Sequence, residues 1–226
     1  MKTSEIIRKR IQEAGKPFAA NDNIADFIES KEEFDDLQLE LQDALQNVLN
    51  TMVVDTENDH NTKETAKRQA KMFMKEVFKG RYEPMPNVTD FPNAKKLDEL
   101  YTVGPIDLRS ACSHHFVPII GQLWVGVMPS ERVIGLSKFS RLADWVLSRP
   151  HIQEEAVMML ADEIEKLIKP KGLAIVMKAK HMCMSWRGVK ESDCWMVNSV
   201  VRGELREDKS LKQEFFDIIS GQGFSR

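Results

Sequence analysis

Cys112-Ser113-His114-His115-Phe116-Val117-Pro118, with His181-Met182-Cys183 further along, concentrates the metal-binding chemistry of this chain. The chain has 5 His and 3 Cys; three of the histidines and two of the cysteines lie in these stretches. Taken singly, a buried cysteine usually behaves as a small hydrophobe, and a lone histidine as a satisfied core group. Clustering shifts the weight towards a metal site. Thiolate sulfur and imidazole nitrogen are preferred zinc donors, and a catalytic zinc keeps three protein ligands and one open position. Cys112, His115 and Cys183 supply three such ligands. Cys112 and His115 lie close enough in sequence for one turn to bring both to one metal. His181 and Cys183 alternate, which on a strand would give them a common face. His114 and His181 remain beside the metal as titratable groups suited to proton transfer near neutral pH. A closed structural site needs a fourth ligand and usually shows paired CxxC-type spacing, which is absent here.

Outward from these stretches the pattern is that of strands and hairpins. Residues 100–111, 115–120, 122–128 and 132–136 are short runs carrying Val, Ile and Trp, separated by Gly121 and by Pro129-Ser130. Two helices follow. Residues 137–148 carry Phe139, Leu142, Ala143, Val146 and Leu147 at helical spacing, and 151–168 carry Ile152, Ala156, Met159, Leu160, Ile164, Leu167 and Ile168. Pro150 suits the boundary between them. Residues 173–184 and 193–205 read as further strands, and Asp208 caps a last helix over 211–219. The sum is an α+β arrangement, an antiparallel sheet with two helices on one face.

Residues 1–61 form a helical extension. Residues 1–20 predict a short helix or loose arm, and 24–53 an amphipathic helix packed on a core or on a partner helix. The polar stretch 55–62 is a loop in which His60 is solvated. Thr62 is placed as the cap of a helix running to Gly80, with Ala66, Ala70, Phe73 and Val77 on its apolar face. Residues 62–226 then make the main domain with its leading helix.

Composition excludes several classes. A formal net charge of −3 over 226 residues gives no basic bias for nucleic acid. No apolar run is long enough to span a membrane, and the charged first sixteen residues lack the apolar core of a signal peptide. Three cysteines do not suggest a disulfide framework. Together these predict a cytoplasmic protein without membrane or nucleic-acid partners.

Four segments carry a family resemblance: the 112–118 stretch; Gly135-Leu136-Ser137-Lys138-Phe139-Ser140-Arg141; Arg149-Pro150-His151-Ile152-Gln153-Glu154; and His181-Met182-Cys183-Met184-Ser185-Trp186-Arg187-Gly188-Val189. In this order and at these separations they resemble GTP cyclohydrolase I, over about residues 62–219. The resemblance implies the tunnelling fold (T-fold), whose sheets join edge to edge into a barrel, and a homodecamer with sites at subunit interfaces. It implies a Zn2+ cofactor on Cys112, His115 and Cys183, GTP as substrate and 7,8-dihydroneopterin triphosphate as product. His181 would protonate guanine N7, and His114 would position or deprotonate water. Glu154 would read the guanine edge, with Gln153 and its backbone adding contacts. Lys138, Arg141, Arg187 and Arg68 would bind the triphosphate, and Ser137 would lie near the ribose. The chain departs from the family pattern at Ser113, where the family usually has Glu, and at Glu155, where it usually has Arg. Trp186 and the Cys194-Trp195 pair are also unusual, and Cys194 is expected to be a buried apolar residue. Two other readings stay open at this point: a T-fold enzyme acting on another purine nucleotide or in 7-deazaguanine metabolism, and a zinc-bound homologue without turnover.

Overall fold

A computed structural model describes residues 1–224. The chain divides into two compact units, the first Met1–Pro84 and the second beginning at Met85.

In the first unit, α1 (Thr3–Glu13) and α2 (Lys31–Thr51) pack around Ile7, Ile11 and Ile24. Ser30 stops α2 from extending back to residue 24, because its side chain accepts from the Glu33 amide (3.1 Å). Residues Ala25–Phe27 form a 3-10 turn instead. Arg10 ties the unit together, donating to Glu33 (2.7 Å) and to the Phe27 carbonyl (3.0 Å). The next helix begins later than the sequence suggests: α3 is Thr65–Met72. Thr62 does not cap it. Its hydroxyl donates to the Asp55 carbonyl (2.5 Å) and closes the preceding loop. A π-turn, Phe73–Val77, then leads into α4 (Lys79–Tyr82), so Gly80 lies within helix rather than ending it.

The second unit is built on five strands in the order β5-β2-β3-β6-β7. β2 (Tyr101–Cys112), β3 (Pro118–Met128), β6 (Gly172–His181) and β7 (Met196–Gly203) pair antiparallel. β5 (Pro150–His151) adds a short parallel edge to β2. A separate ribbon pairs β1 (Asp90–Pro92) with β4 (Arg132–Ile134). α5 (Leu136–Leu147) and α6 (Gln153–Ile168) bury their apolar faces on one side of the sheet, against Leu123, Val125, Ile175 and Met177. Lys169 in the left-handed region and Pro170 end α6. On the opposite side α9 (Lys209–Gly221) packs Phe215 and Ile219 against Trp124 and Val176, after a short α8 (Glu204–Glu207). The sheet thus has helices on both faces, with the expected pair on one of them. Asp208 caps α9 as predicted, accepting from the amides of Ser210 and Leu211.

Gly121 does not separate two strands. A Cβ there would meet the Lys178 carbonyl oxygen at 2.0 Å and Ala179 Cα at 2.5 Å. The glycine marks close approach of β6, and β3 runs through it unbroken.

Candidate metal centre and active site

The cysteine–histidine stretch sits where β2 turns into β3. Cys112 is the last residue of β2 and is buried. Its amide donates to the Val117 carbonyl, and the Phe116 amide donates back to the Cys112 carbonyl (both 2.9 Å). Phe116 takes a left-handed conformation (φ 54°) to close this turn. The turn brings His115 Nδ1 to 3.7 Å from Cys112 Sγ. β5 steadies the strand from the other side: Cys112 pairs with His151, and the Ser113 amide donates to the His151 carbonyl (2.9 Å).

Sheet register delivers the third donor. Ile119 of β3 faces Ser110 on β2 and His181 on β6, so β6 ends beside the turn. There the chain leaves the strand. His181 is the last residue of β6, and Cys183 sits in the helical turn α7 (Met182–Ser185). The two do not share a strand face as their alternation suggests, because the strand has already ended. The helical turn nonetheless brings Cys183 Sγ to the other donors, and one ligand atom each from Cys112, His115 and Cys183 lies within 4.8 Å of the rest.

These three residues fit zinc. Around a tetrahedral ion with Zn–S about 2.3 Å and Zn–N about 2.0–2.1 Å, neighbouring donors stand roughly 3.6 Å apart. The observed sulfur–nitrogen separation of 3.7 Å matches that spacing. Burial, then the nearby Cys112 sulfur, pushes the Cys183 thiol pKa up. A divalent cation reverses that balance, since it binds thiolate directly.

His181 is half-buried and its pKa is pushed down by burial, with the Glu154 carboxylate opposing the shift. Its Nε2 lies 2.9 Å from Gln153 Oε1. Gln153, the first residue of α6, is buried, and its side chain is committed inward: Nε2 donates to Asn198 Oδ1 (2.8 Å). Any ligand contact by Gln153 therefore falls to its backbone. Glu154 and Glu155 occupy the first turn of α6 and are exposed, where the helix N-terminus favours negative charge.

The other predicted residues come from several elements. His114 is exposed, its ring 6.3 Å from that of His115 and nearly perpendicular to it. Arg187, just beyond α7, brings Nη1 to 3.2 Å from His115 Nε2. Ser137, Lys138 and Arg141 lie on α5, and Lys138 donates to the Asn87 carbonyl (3.0 Å). Arg68 lies on α3 in the first unit, its guanidinium 3.9 Å from Glu64. Cys194, expected to be buried, is exposed, because it falls in the loop before β7 rather than in the strand. The sequence reading overlooked Asn198. Its signal is a polar residue in phase with inward-facing Val200 on β7.

Comparison with known proteins adds an independent line. Residues 41–220 match the family model described as GTP cyclohydrolase I. A GTP cyclohydrolase 1 of Haemophilus ducreyi is 34% identical over 193 residues, covering 85% of this chain and 88% of that protein. One of Flavobacterium johnsoniae is 37% identical over 176 residues, covering 77% and 78%. One of Gloeobacter violaceus is 41% identical over 122 residues, covering 54% and 57%. Among solved structures, an apo archaeosine synthase QueF-Like is similar at a TM-score of 0.36 and 12% identity, over 53% of this chain and 97% of that one.

Proposed function

Because the chain belongs to the GTP cyclohydrolase I family, we propose that it opens the imidazole ring of GTP, releases C8 as formate and yields 7,8-dihydroneopterin triphosphate. The convergence of two thiols and one imidazole within 4.8 Å carries this assignment. Cys112, His115 and Cys183 would hold the zinc, which when bound supplies a water with its pKa lowered from 15.7 to about 7, a nucleophile for C8.

The chain's own residues do the rest. His181 holds a hydrogen on Nε2 against Gln153, which leaves Nδ1 to carry a proton to purine N7. Its lowered pKa favours release of that proton at neutral pH. His114, exposed next to the ligand turn, positions or deprotonates water. Glu154 at the start of α6 accepts from guanine N1–H and the 2-amino group, because a carboxylate can take two parallel donors. The Gln153 backbone adds a contact, and Ser137 meets the ribose. Lys138, Arg141, Arg187 and Arg68 bind the triphosphate, where arginine offers a fork matched to phosphate oxygens.

Lys138 and Arg141 share α5, Arg187 follows α7 and Arg68 lies on α3; a site completed between subunits would gather them. We assign the chain to a homodecamer of T-fold subunits, its sheets joined through edge strands such as β7. Residues 1–61 then serve as a helical extension packing between subunits. Among the described residues no helix is long and apolar enough to cross a membrane; the enzyme is assigned to the cytoplasm on its family resemblance.

The test is incubation of purified, zinc-loaded protein with GTP, reading formate and the fluorescence of the oxidised pterin. Both products are expected. Neither product, with zinc bound and the protein folded, would overturn the assignment.

A further inference from the structure

Behind His181 lies a hydrogen-bonded chain that reaches β7. Gln153 is 2% exposed, so its amide is shielded from bulk solvent. Its Nε2 faces Asn198 Oδ1 at 2.8 Å and the carbonyl oxygens of Met177 and Met196, both at 3.3 Å. A carbonyl oxygen can only accept. The nitrogen end of the amide must therefore face these groups, and the oxygen end must face His181. Gln153 Oε1 in turn only accepts, so the hydrogen on His181 sits on Nε2, 2.9 Å away. Nδ1, on the other side of the ring, is left free of this bond.

Asn198 closes this arrangement. Besides taking the shortest of the three bonds from Gln153 Nε2, it donates from Nδ2 to the Gln153 main-chain carbonyl (3.3 Å). Both ends of one residue are thereby gripped by one side chain, which fixes the side-chain torsions of Gln153. The two backbone carbonyls alone would leave only longer, weaker bonds. Asn198 is an unexpected residue for its place. It pairs with Met177 across the sheet and shares a strand face with Val200, which packs on the main core. An apolar side chain would serve packing there, and a polar one is costly unless its bonds are made.

We propose that Asn198 is a positioning residue for the reaction: through Gln153 it holds the His181 ring with Nε2 inward and Nδ1 toward the purine. The proposal rests on His181 as the proton donor. Asn198 itself touches no substrate.

The experiment is a double-mutant cycle on the zinc-loaded full chain, with kcat and KM for GTP measured for wild type, Asn198→Ala, Gln153→Ala and the double variant, and zinc content as a control. Asn198→Ala is expected to lower kcat about tenfold, the scale on which outer-shell partners act, with KM and zinc content little changed. In the Gln153→Ala background the same substitution is expected to cost less than about twofold, because residues acting through one another are not additive. A purely structural role would instead lower stability and zinc content while leaving kcat per folded, zinc-loaded site unchanged. Full kcat in Asn198→Ala, or an equal cost in both backgrounds, would overturn the proposal. Should the alanine variant fail to fold, Asn198→Ser, whose hydroxyl falls short of Gln153, replaces it with the same expectation. His181→Ala is run alongside: if it retained turnover, the assignment of His181 would fall, whereas loss of turnover there with an intact Asn198→Ala would sink only the role of Asn198.

Discussion

Arg187 Nη1 lies 3.2 Å from His115 Nε2, on the opposite side of the ring from the nitrogen that faces Cys112. Arginine only donates, so Nε2 must present a lone pair to it. A neutral imidazole has one such nitrogen, and a metal needs that same lone pair. If the ion binds Nδ1, Nε2 carries a hydrogen and turns Arg187 away; if it binds Nε2, it displaces Arg187 directly. Metal binding would thus release Arg187, the proposed triphosphate ligand, from His115. Arg187→Ala is expected to tighten zinc binding by about fivefold, equivalent to one ordinary hydrogen bond of about 1 kcal/mol. Competition with a chromogenic chelator reads this. Unchanged or weaker zinc affinity would contradict the exclusivity.

Zinc removal should separate activity from fold. The main core, from Ile106 through Ala179, is built almost wholly of apolar side chains from α5, α6 and the strands. Chelation is expected to abolish formate release while far-UV circular dichroism stays close to that of the loaded protein. Cys183→Ser should do the same and lower zinc stoichiometry. Collapse of the circular dichroism signal on chelation would instead make the metal structural.

Much of this was legible from residue types and spacing. Phe139, Leu142, Val146 and Leu147 announced α5, because helical burial follows a fixed period. Cys112, His115 and Cys183 stand out because the chain's few cysteines and histidines cluster in two short stretches. What stayed hidden depends on tertiary placement. Gly121 looks like a turn in one dimension, and only the neighbouring β6 backbone explains it. Cys183 looked like a strand residue because local alternation does not reveal where β6 ends. Asn198 gained a role only when α6 brought Gln153 against it.

His151 predicts an acid-sensitive fold. It is 1% exposed, its Nε2 hydrogen-bonds the Val146 carbonyl (2.6 Å), and Nδ1 has no partner among the described residues. Burial, aided by the charge of Arg149, pulls its pKa down from 6.5 to about 4, against the opposing effect of the Val146 bond. The sign follows from proton uptake. Above the ordinary histidine pKa both folded and unfolded states are neutral here, and stability is complete. As pH falls below that value the unfolded chain binds a proton that the folded one refuses, so stability is lost progressively until about pH 4. The full loss is on the order of 3 kcal/mol, at 1.36 kcal/mol per unit. Urea unfolding across this range should show the decline, and His151→Gln should flatten it. Equal slopes in the two proteins would rule out His151 as the cause.

Gly121→Ala tests whether the site depends on the seam between β3 and β6. The added methyl would meet backbone, the Lys178 oxygen at 2.0 Å and Ala179 Cα at 2.5 Å, and neither can rotate aside. The strands must separate, at a typical overpacking cost of about 1–3 kcal/mol. The seam runs from there to the Ile119–His181 pair beside the proposed metal ligands. Separation should therefore weaken zinc binding as well as lower the urea midpoint. Gly126→Ala is the control. Its methyl would meet the Phe215 ring at 2.5 Å, on the face covered by α9. That variant should lose stability while keeping its zinc affinity. Equal zinc loss in both variants would mean that general destabilisation, and not the β3–β6 seam, controls the ligands.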